Sequence, residues 1–471
     1  MPESTPIPDS TSGLEKTVFV LYGATGDLAH RLVLPALFQL AVDDLLPSDW
    51  RLIGNGRGDV SHEDFRGRVQ ASLQEFGPQP EGQVWEEFAA KLLFAGGGFN
   101  KDDPGTLLEV LGQAHEQLGE HGQMIHYLAI PPKAFRGITE GIGQHGLASH
   151  ARVVYEKPFG TSAAEFRELD ELAHSVFEES AVFRIDHFLG KEGAQDIDVI
   201  RGANAMFGAS WDRHSVESVQ IDVPETLDVG TRAQFYDGTG AFLDMIVTHL
   251  FQLAAQVAKE PSGPDSQDAG AARERVIGAF RPLSPDEVVL GQYDGYLKAD
   301  GIAPDSTTDT FVAARLWVDN DRWQGVPFLL RTGKAMAESH QRVSVVFRRP
   351  AGAPEGARPA VLAFELSGEG SIALTLTAKK PGSGEEMNQA TLQVPLTAFG
   401  GKPLPAYSRL VHDVLRGERA QFTTPDGLAH VWAAAGPLLA DRPELQQYAY
   451  GSWGPAAAAE LAAPDGWLTG Q

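Results

Sequence analysis

Thr17–Tyr22 (TVFVLY) runs straight into Gly23-Ala24-Thr25-Gly26-Asp27-Leu28-Ala29. The first six residues are almost all apolar, the pattern of a strand buried on both faces in a parallel sheet. Gly23 permits a tight turn from strand to helix. Gly26 lets backbone approach a pyrophosphate, and the helix start offers unpaired N–H groups and a positive dipole end. A helical pattern continues to about Leu46, with Leu28, Leu32 and Leu40 on its apolar face, and Pro35 is expected to kink it. The spacing is G-x-x-G-x-x-A rather than G-x-G-x-x-G, so the turn alone does not separate a nucleotide site from a plain glycine turn.

Outward from this junction the same texture repeats. Arg51–Asn55, Met124–Ile130, Arg152–Tyr155 and Phe183–Ile185 read as strands, with helical patterns between them. One helix is predicted to start at Ser162, where Ser162-x-x-Glu165 has the form of a capping box. Alternation of this kind predicts a Rossmann-like, doubly wound parallel sheet over residues 17–187. Beyond about residue 215, Val216–Val223, Phe311–Val318, Arg342–Arg348, Val361–Leu366, Ile372–Ala378 and Ala390–Pro395 are strand-like. Their mostly short connections favour antiparallel pairing. A helical stretch, Gly240 to about Val257, precedes most of them. Residues 188–471 are therefore expected to form a larger α+β domain with one large, mainly antiparallel sheet. Met1–Lys16, rich in Pro, Ser and Thr, reads as a disordered tail, and Pro261–Gly270 as a polar loop.

The chain of 471 residues carries 38 basic and 63 acidic side chains, a formal charge of −25. A field of that sign repels nucleic acid and anionic membrane. It also repels a phosphorylated substrate, so a phosphate site must be a local cluster of bases. There is no cysteine, which excludes disulfides, a thiol nucleophile and thiolate-bound metal and fits a reducing cytoplasm. No run approaches about 18 apolar residues, the length that reads as a membrane span. No cluster of His, Asp and Glu asks for a metal.

Four further segments carry chemistry. Asn55-Gly56-Arg57 ends the second strand. A carboxylate there would suit the ribose 2′-hydroxyl of NAD, whereas a guanidinium suits the 2′-phosphate of NADP. Glu156-Lys157-Pro158-Phe159-Gly160 follows a strand, at the edge that faces the ligand crevice in doubly wound sheets. Lys157 can hydrogen-bond a sugar hydroxyl there, and the isomer of the Lys157–Pro158 bond is open. Arg184-Ile185-Asp186-His187-Phe188-Leu189-Gly190-Lys191-Glu192 places a carboxylate, an imidazole and an amine within six residues. One helical turn would set His187 and Lys191 on one side as a phosphate clamp. In Phe235–Gln252, Asp244 and His249 lie five apart in an apolar helical run.

Together with Arg331-Thr332-Gly333-Lys334 and Tyr450-Gly451-Ser452-Trp453-Gly454-Pro455, these segments occur in the order found in glucose-6-phosphate dehydrogenases. The chain resembles that family from about Thr17 to Trp467. The resemblance implies that His249 is the general base and Asp186 the carboxylate that orients it. It implies that His187 and Lys191 bind phosphate, that Glu225 and Asp244 hold sugar hydroxyls, and that Lys157 and Lys334 are substrate-binding lysines. The expected cofactor residues are Gly23, Thr25, Gly26, Asp27, Leu28, Arg57 and Lys157, with NADP the cofactor and NAD the weaker alternative. The implied reaction takes glucose 6-phosphate to a 6-phosphogluconolactone in a cytoplasmic homodimer or homotetramer. Three departures bear on substrate affinity. Phe188 stands where many relatives have a tyrosine, and Ser339 where many have a second lysine. Leu243, Val247 and Thr248 replace common polar residues, and His340 offers some of the lost positive charge. Two other readings fit less well: a dehydrogenase of another sugar, opposed by His187 with Lys191, and a catalytically silent regulatory relative, opposed by Asp186 with His249.

If Arg57 reads the 2′-phosphate, Arg57→Ala weakens NADP binding by about tenfold or more, the worth of a charge-assisted hydrogen bond, and leaves NAD binding nearly unchanged. Titration of both cofactors checks this, and equal losses would contradict the assignment.

Overall fold

The structure, a computed structural model, describes residues 13–119, 122–261 and 269–469. Most of the expected tail and of the expected polar loop lie outside the described residues. The described end of the tail, however, is tied to the sheet: the Lys16 carbonyl accepts from the Gln123 amide at 2.8 Å. Leu14 packs against the core. The described end of the loop, Ala269 and Gly270, opens the helix Ala269–Ile277. The chain forms two compact units, residues 1–190 with 404–423, and residues 191–403 with 424–471. A single cut after His187 therefore misses a segment that returns to the first unit. That segment is amphipathic rather than strand-like, so no sheet pattern betrays it.

The first unit is built on six parallel strands in the order β3-β2-β1-β4-β5-β6. They are β1 (Thr17–Tyr22), β2 (Trp50–Asn55), β3 (Leu92–Ala95), β4 (Gln123–Leu128), β5 (Ala151–Tyr155) and β6 (Val182–Arg184). β1 is buried along its whole length, as its apolar run predicts. The strand order reverses between β1 and β4, so the glycine turn sits at the switch point where such sheets open a ligand crevice. Gly23 has φ +77°, and a Cβ there would stand 2.4 Å from the Ala129 carbonyl oxygen, so only glycine fits.

The helix after the turn differs from expectation. Ala29–Val33 is π-helical, and the α-helix Leu34–Val42 follows with Pro35 in its first turn. The extra residue in the wide turn rotates the register, and Leu32, expected inside, is 39% exposed. At Ser162 the hydroxyl does accept from the Glu165 amide (3.2 Å), while the Glu165 carboxylate reaches the Thr161 amide (2.8 Å) instead of closing the box on Ser162.

The returning helix Ala406–Arg416 buries Leu410, Val411, Val414 and Leu415 in the core of this unit. Phe422 meets Phe183 edge-on at 4.8 Å. Arg152 Nη1 donates to the Val414 and Leu415 carbonyls (2.6 and 2.8 Å) in the last turn of that helix, where Gly417 N–H and Gln123 Nε2 also reach them (3.1 and 3.4 Å).

The second unit carries a nine-stranded sheet in the order β14-β13-β12-β11-β7-β10-β9-β8-β15. Its strands are β7 (Val216–Pro224), β8 (Val288–Tyr293), β9 (Phe311–Leu316), β10 (Phe328–Gly333), β11 (Arg342–Phe347), β12 (Val361–Glu365), β13 (Ser371–Lys379), β14 (Met387–Pro395) and β15 (Leu445–Tyr448). Pairing is mainly antiparallel, but β7 pairs with β10, and β8 with β15, in parallel. The sheet is thus mixed, because long crossovers return those strands in the same direction. Across β7 and β10, Asp222 faces Arg331 in register. The guanidinium makes two bonds to the buried carboxylate (2.8 and 2.6 Å) and lies between the indoles of Trp453 and Trp467, 4.9 and 4.4 Å from their centres. No described helix is long and apolar enough to cross a membrane.

Removing the Arg152 guanidinium leaves two helix-end carbonyls without their charged donor. Arg152→Ala should lower stability by about 1.5–3 kcal/mol, read as a reduced urea midpoint. An unchanged midpoint would show that the contact contributes nothing.

Candidate active site

In the first unit the site residues follow the carboxyl ends of parallel strands. The Asn55 carbonyl at the end of β2 accepts from the Gly23 and Ala24 amides (2.9 and 3.1 Å). The turn after β2 thus lies beside the glycine turn, and a Cβ on Gly56 would be 3.4 Å from Thr25 Oγ1. Arg57 is exposed on that turn, as are Thr25 and Asp27, while Leu28 is half-buried. A cavity of about 350 Å³ opens here, lined in part by Ala24, Thr25, Gly26 and Asp27. A Cβ on Gly26 would approach the Gly23 carbonyl to 3.1 Å. A glycine cradle, a helix start and an arginine in place of a carboxylate together fit NADP.

β5 and β6 pair with Tyr155 opposite Arg184, so Glu156-Lys157 and Ile185–His187 leave the same sheet edge side by side. The Lys157–Pro158 bond is cis. Arg184 pairs with Asp170 (2.6 Å) and Glu179 (3.0 Å) and serves the fold. Asp186 is fully buried, and its Oδ1 accepts from the Phe188 amide at 2.9 Å. That Asx-type turn, with Leu189 N–H bonded to the Asp186 carbonyl (3.1 Å), takes the place of the expected helical turn. Lys191 then has extended backbone (φ −75°, ψ 134°) ahead of the helix Glu192–Ala203. His187 stacks on Tyr407 at 6.0 Å, and Phe188 is buried.

Three groups that sequence reading missed complete this edge. Tyr127 donates to Glu156 Oε1 at 2.6 Å, and Tyr407 to Oε2 at 3.4 Å. Burial pushes the Glu156 carboxyl up to about 7, against the Tyr127 hydrogen bond and the Lys157 charge, which hold it down. Tyr127 sits on β4, where alternation alone reads as core. Tyr407 comes some 250 positions after Glu156, and nothing local marks it.

In the second unit Lys334 pairs with Glu225 at 2.6 Å. Both follow the ends of the parallel pair β7 and β10, where Glu225 N–H donates to the Gly333 carbonyl (2.9 Å). The Lys334 ammonium lies 5.7 Å from the centre of the Tyr236 ring. Burial, then the charges of Asp244, Asp309 and Glu225, raise the Tyr236 hydroxyl pKa well above its ordinary value. Tyr236 was not legible as a site residue. Lys191 donates to the Leu366 carbonyl at 3.3 Å. Ser339, in the lysine's place, accepts from the Thr226 amide (2.7 Å) and steadies the residue after Glu225. His340, expected to offer some positive charge, has its Nε2 3.1 Å from Asp222 Oδ2. Burial acts to raise the Asp222 carboxyl, but its bonds to Arg331, His340 and Thr469 and the Arg331 charge prevail and hold it down to about 2.

Asp244 and His249 lie on Phe242–Leu250, which is π-helical, and Phe251 N–H closes it on the Ile246 carbonyl five residues back. Thr248 Oγ1 donates to the Leu243 carbonyl (2.8 Å), also five back. α-Helical neighbours are three and four apart; i→i+5 bonding widens the turn and changes which side chains share a face. His249 is fully buried and Asp244 half-buried.

A glycine turn at the switch point of a doubly wound sheet, followed by a mixed sheet that gathers lysine and carboxylates, defines a two-domain protein of the dinucleotide-dependent dehydrogenase class. The family descriptions "Glucose-6-phosphate dehydrogenase, NAD binding domain" and "Glucose-6-phosphate dehydrogenase, C-terminal domain" match residues 20–196 and 198–468. Glucose-6-phosphate 1-dehydrogenase 2 of Mycobacterium tuberculosis is 37% identical over 472 residues, covering 94% of this chain and 92% of that protein. Glucose-6-phosphate 1-dehydrogenase of Aggregatibacter actinomycetemcomitans is 33% identical, covering 96% and 97%. A crystal structure of the Mycobacterium avium glucose-6-phosphate 1-dehydrogenase superposes with TM-score 0.86 at 30% identity, over 97% of this chain and 99% of that one. A glucose-6-phosphate dehydrogenase in complex with its substrate glucose-6-phosphate superposes with TM-score 0.89 at 28% identity, with the same coverage. The chain belongs to the glucose-6-phosphate dehydrogenase family.

The Glu156 carboxyl has a folded pKa of about 7 against an ordinary 4.5. Between those values the folded chain keeps a proton that the unfolded chain has released, so stability falls as pH rises through the window. Glu156→Gln should abolish that decline, worth at most on the order of 3 kcal/mol. Urea unfolding from pH 4.5 to 7.5 measures it, and equal slopes in both proteins would refute the buried acid.

Proposed function

We propose that this chain oxidises D-glucose 6-phosphate at C1 to 6-phospho-D-glucono-1,5-lactone with NADP as acceptor, the first step of the oxidative pentose phosphate pathway. The observation that carries the reading is the π-helical segment that bears Asp244 and buries His249. Neutral His249 takes the proton of the C1 hydroxyl. A positioned base contributes about 10²–10⁴-fold. Burial favours the neutral imidazole, which is the basic form. Asp186 fixes its tautomer and stabilises the imidazolium. NADP, when bound, would supply the hydride acceptor; Gly23, Thr25, Gly26, Asp27, Leu28, Arg57 and Lys157 would hold it.

His187 and Lys191 take the phosphate, which anchors the sugar several bonds from C1 and orients it. Glu225, Asp244, Lys157 and Lys334 bind the sugar itself. The Lys334–Glu225 pair (2.6 Å) and the bond of Lys191 to the Leu366 carbonyl support this, since both ammonium groups are already held in place. With a formal charge of −25 on the chain, such local cations are what admits a phosphate. Lack of cysteine fits a cytoplasmic setting. We assign a homodimer or homotetramer on the family resemblance and on the exposed Leu376, Leu392 and Val394 of β13 and β14; light scattering reads the state, and a monomer would refute it.

His249→Asn should keep the fold and the binding of both ligands but lower kcat by 10²-fold or more, and the acidic limb of the pH–rate profile should vanish. Asp186→Asn should lose less, because the base remains. Near-normal kcat with an unchanged profile in His249→Asn would make this histidine a core residue.

A further inference from the structure

A π-helical turn is rare and is frequently found at functional sites, and whatever fixes the start of Phe242–Leu250 helps to fix where Asp244 and His249 stand. The segment is entered from Gly240, whose φ is +69°. Ala241 N–H donates to the Asp309 carbonyl at 2.8 Å, and Phe242 N–H to Asp309 Oδ2 at 2.7 Å. One residue thus satisfies two of the donors that a helix start leaves unpaired. Asp309 is 1% exposed, and its other oxygen, Oδ1, accepts from Arg442. A Cβ on Gly240 would stand 2.7 Å from that oxygen, so glycine here makes room for the carboxylate as well as for the turn.

The next residue extends the hold. The Thr310 carbonyl accepts from the Lys334 amide at 2.9 Å. Thr310 Oγ1 lies 3.0 Å from the Tyr448 hydroxyl, which donates to the Lys334 carbonyl at 2.6 Å. The dipeptide Asp309-Thr310, just ahead of β9, therefore anchors both the segment that bears Asp244 and His249 and the backbone of Lys334. No sequence motif marked it.

We propose that Asp309 is a positioning residue for the sugar reaction: by capping the π-helical segment with its carbonyl and carboxylate, it sets where Asp244 and His249 stand. This rests on the roles given to those two residues above. The cap lies in the second unit, whereas the glycine cradle lies in the first, so its loss should touch sugar kinetics and spare the cofactor.

The test is steady-state kinetics of the full chain, per folded molecule. Asp309→Ala should lower kcat by about tenfold or more, since small displacements of reacting groups are costly, and should raise KM for glucose 6-phosphate. KM for NADP should stay within about twofold. A residue that serves only the fold would lower thermal stability and leave kcat and the sugar KM at wild-type values, and that result would overturn the proposal. If Asp309→Ala does not fold, Asp309→Asn decides. Its single oxygen cannot serve both Phe242 and Arg442, so kcat/KM for the sugar should fall about three- to tenfold, and wild-type values would overturn the proposal. His249→Asn is measured in parallel. If it collapses kcat while the Asp309 variants keep wild-type sugar kinetics, the positioning role alone falls; if it leaves kcat intact, the base assignment falls and the proposal with it.

Discussion

The bidentate pair between Arg331 and Asp222 is the constraint on which the second unit is built. It lies across the two parallel strands in the middle of an otherwise mostly antiparallel sheet, residue opposite residue. A one-residue slip of either strand would carry its own charge to the other face and leave the partner charge buried and unpaired, which costs several kcal/mol. Two indoles close over the guanidinium, and the Thr469 hydroxyl bonds the same carboxylate. The end of the chain is thereby drawn into the lock. Once the register is fixed, Glu225 and Lys334 must emerge together at the strand ends, and they do so as an ion pair.

The first unit solves the same problem with parallel strands. Their carboxyl ends deliver the glycine turn, Lys157, Asp186 and His187 to one sheet edge. Side-chain stiffness there comes from a buried acid between two tyrosines. In both units some of the chemistry-bearing groups, Lys157, Asp186, Glu225 and Lys334 among them, follow the ends of parallel strands, where loops carry function on a rigid frame, while Asp244 and His249 stand on the π-helical segment. The acidic surface makes this economy necessary, because cations scattered over it would be screened and outvoted.

Much of the frame was legible because its signals are local. The apolar run of β1, the glycine turn and the Asn55-Gly56-Arg57 end of β2 each lie within a few residues, and the structure keeps them together. The ion pair of Lys334 with Glu225 joins two residues that sequence had placed on the same ligand. Other features depend on partners far along the chain. β8, β10 and β15 were not read, and the two parallel pairs in which they take part depend on crossovers. The helix Ala406–Arg416 is held to the first unit by Arg152, Tyr407 and the apolar face it buries, all contacts with residues far away in sequence. His340 looked like a spare cation until Asp222 claimed it. The five-residue spacing of Asp244 and His249 was visible, but the π-helical bonding that carries both was not, because nothing in the sequence separates it from an α-helix.

The claim at the centre of this account is that hydride leaves C1 of a phosphorylated hexose for NADP. The direct measurement is NADPH absorbance with glucose 6-phosphate, with its C1-deuterated form, with unphosphorylated glucose and with other sugar phosphates. The account predicts NADPH formation with glucose 6-phosphate, a slower rate with the deuterated sugar, and little signal with glucose. No NADPH from any phosphorylated sugar, or equal rates with glucose and glucose 6-phosphate, would contradict it.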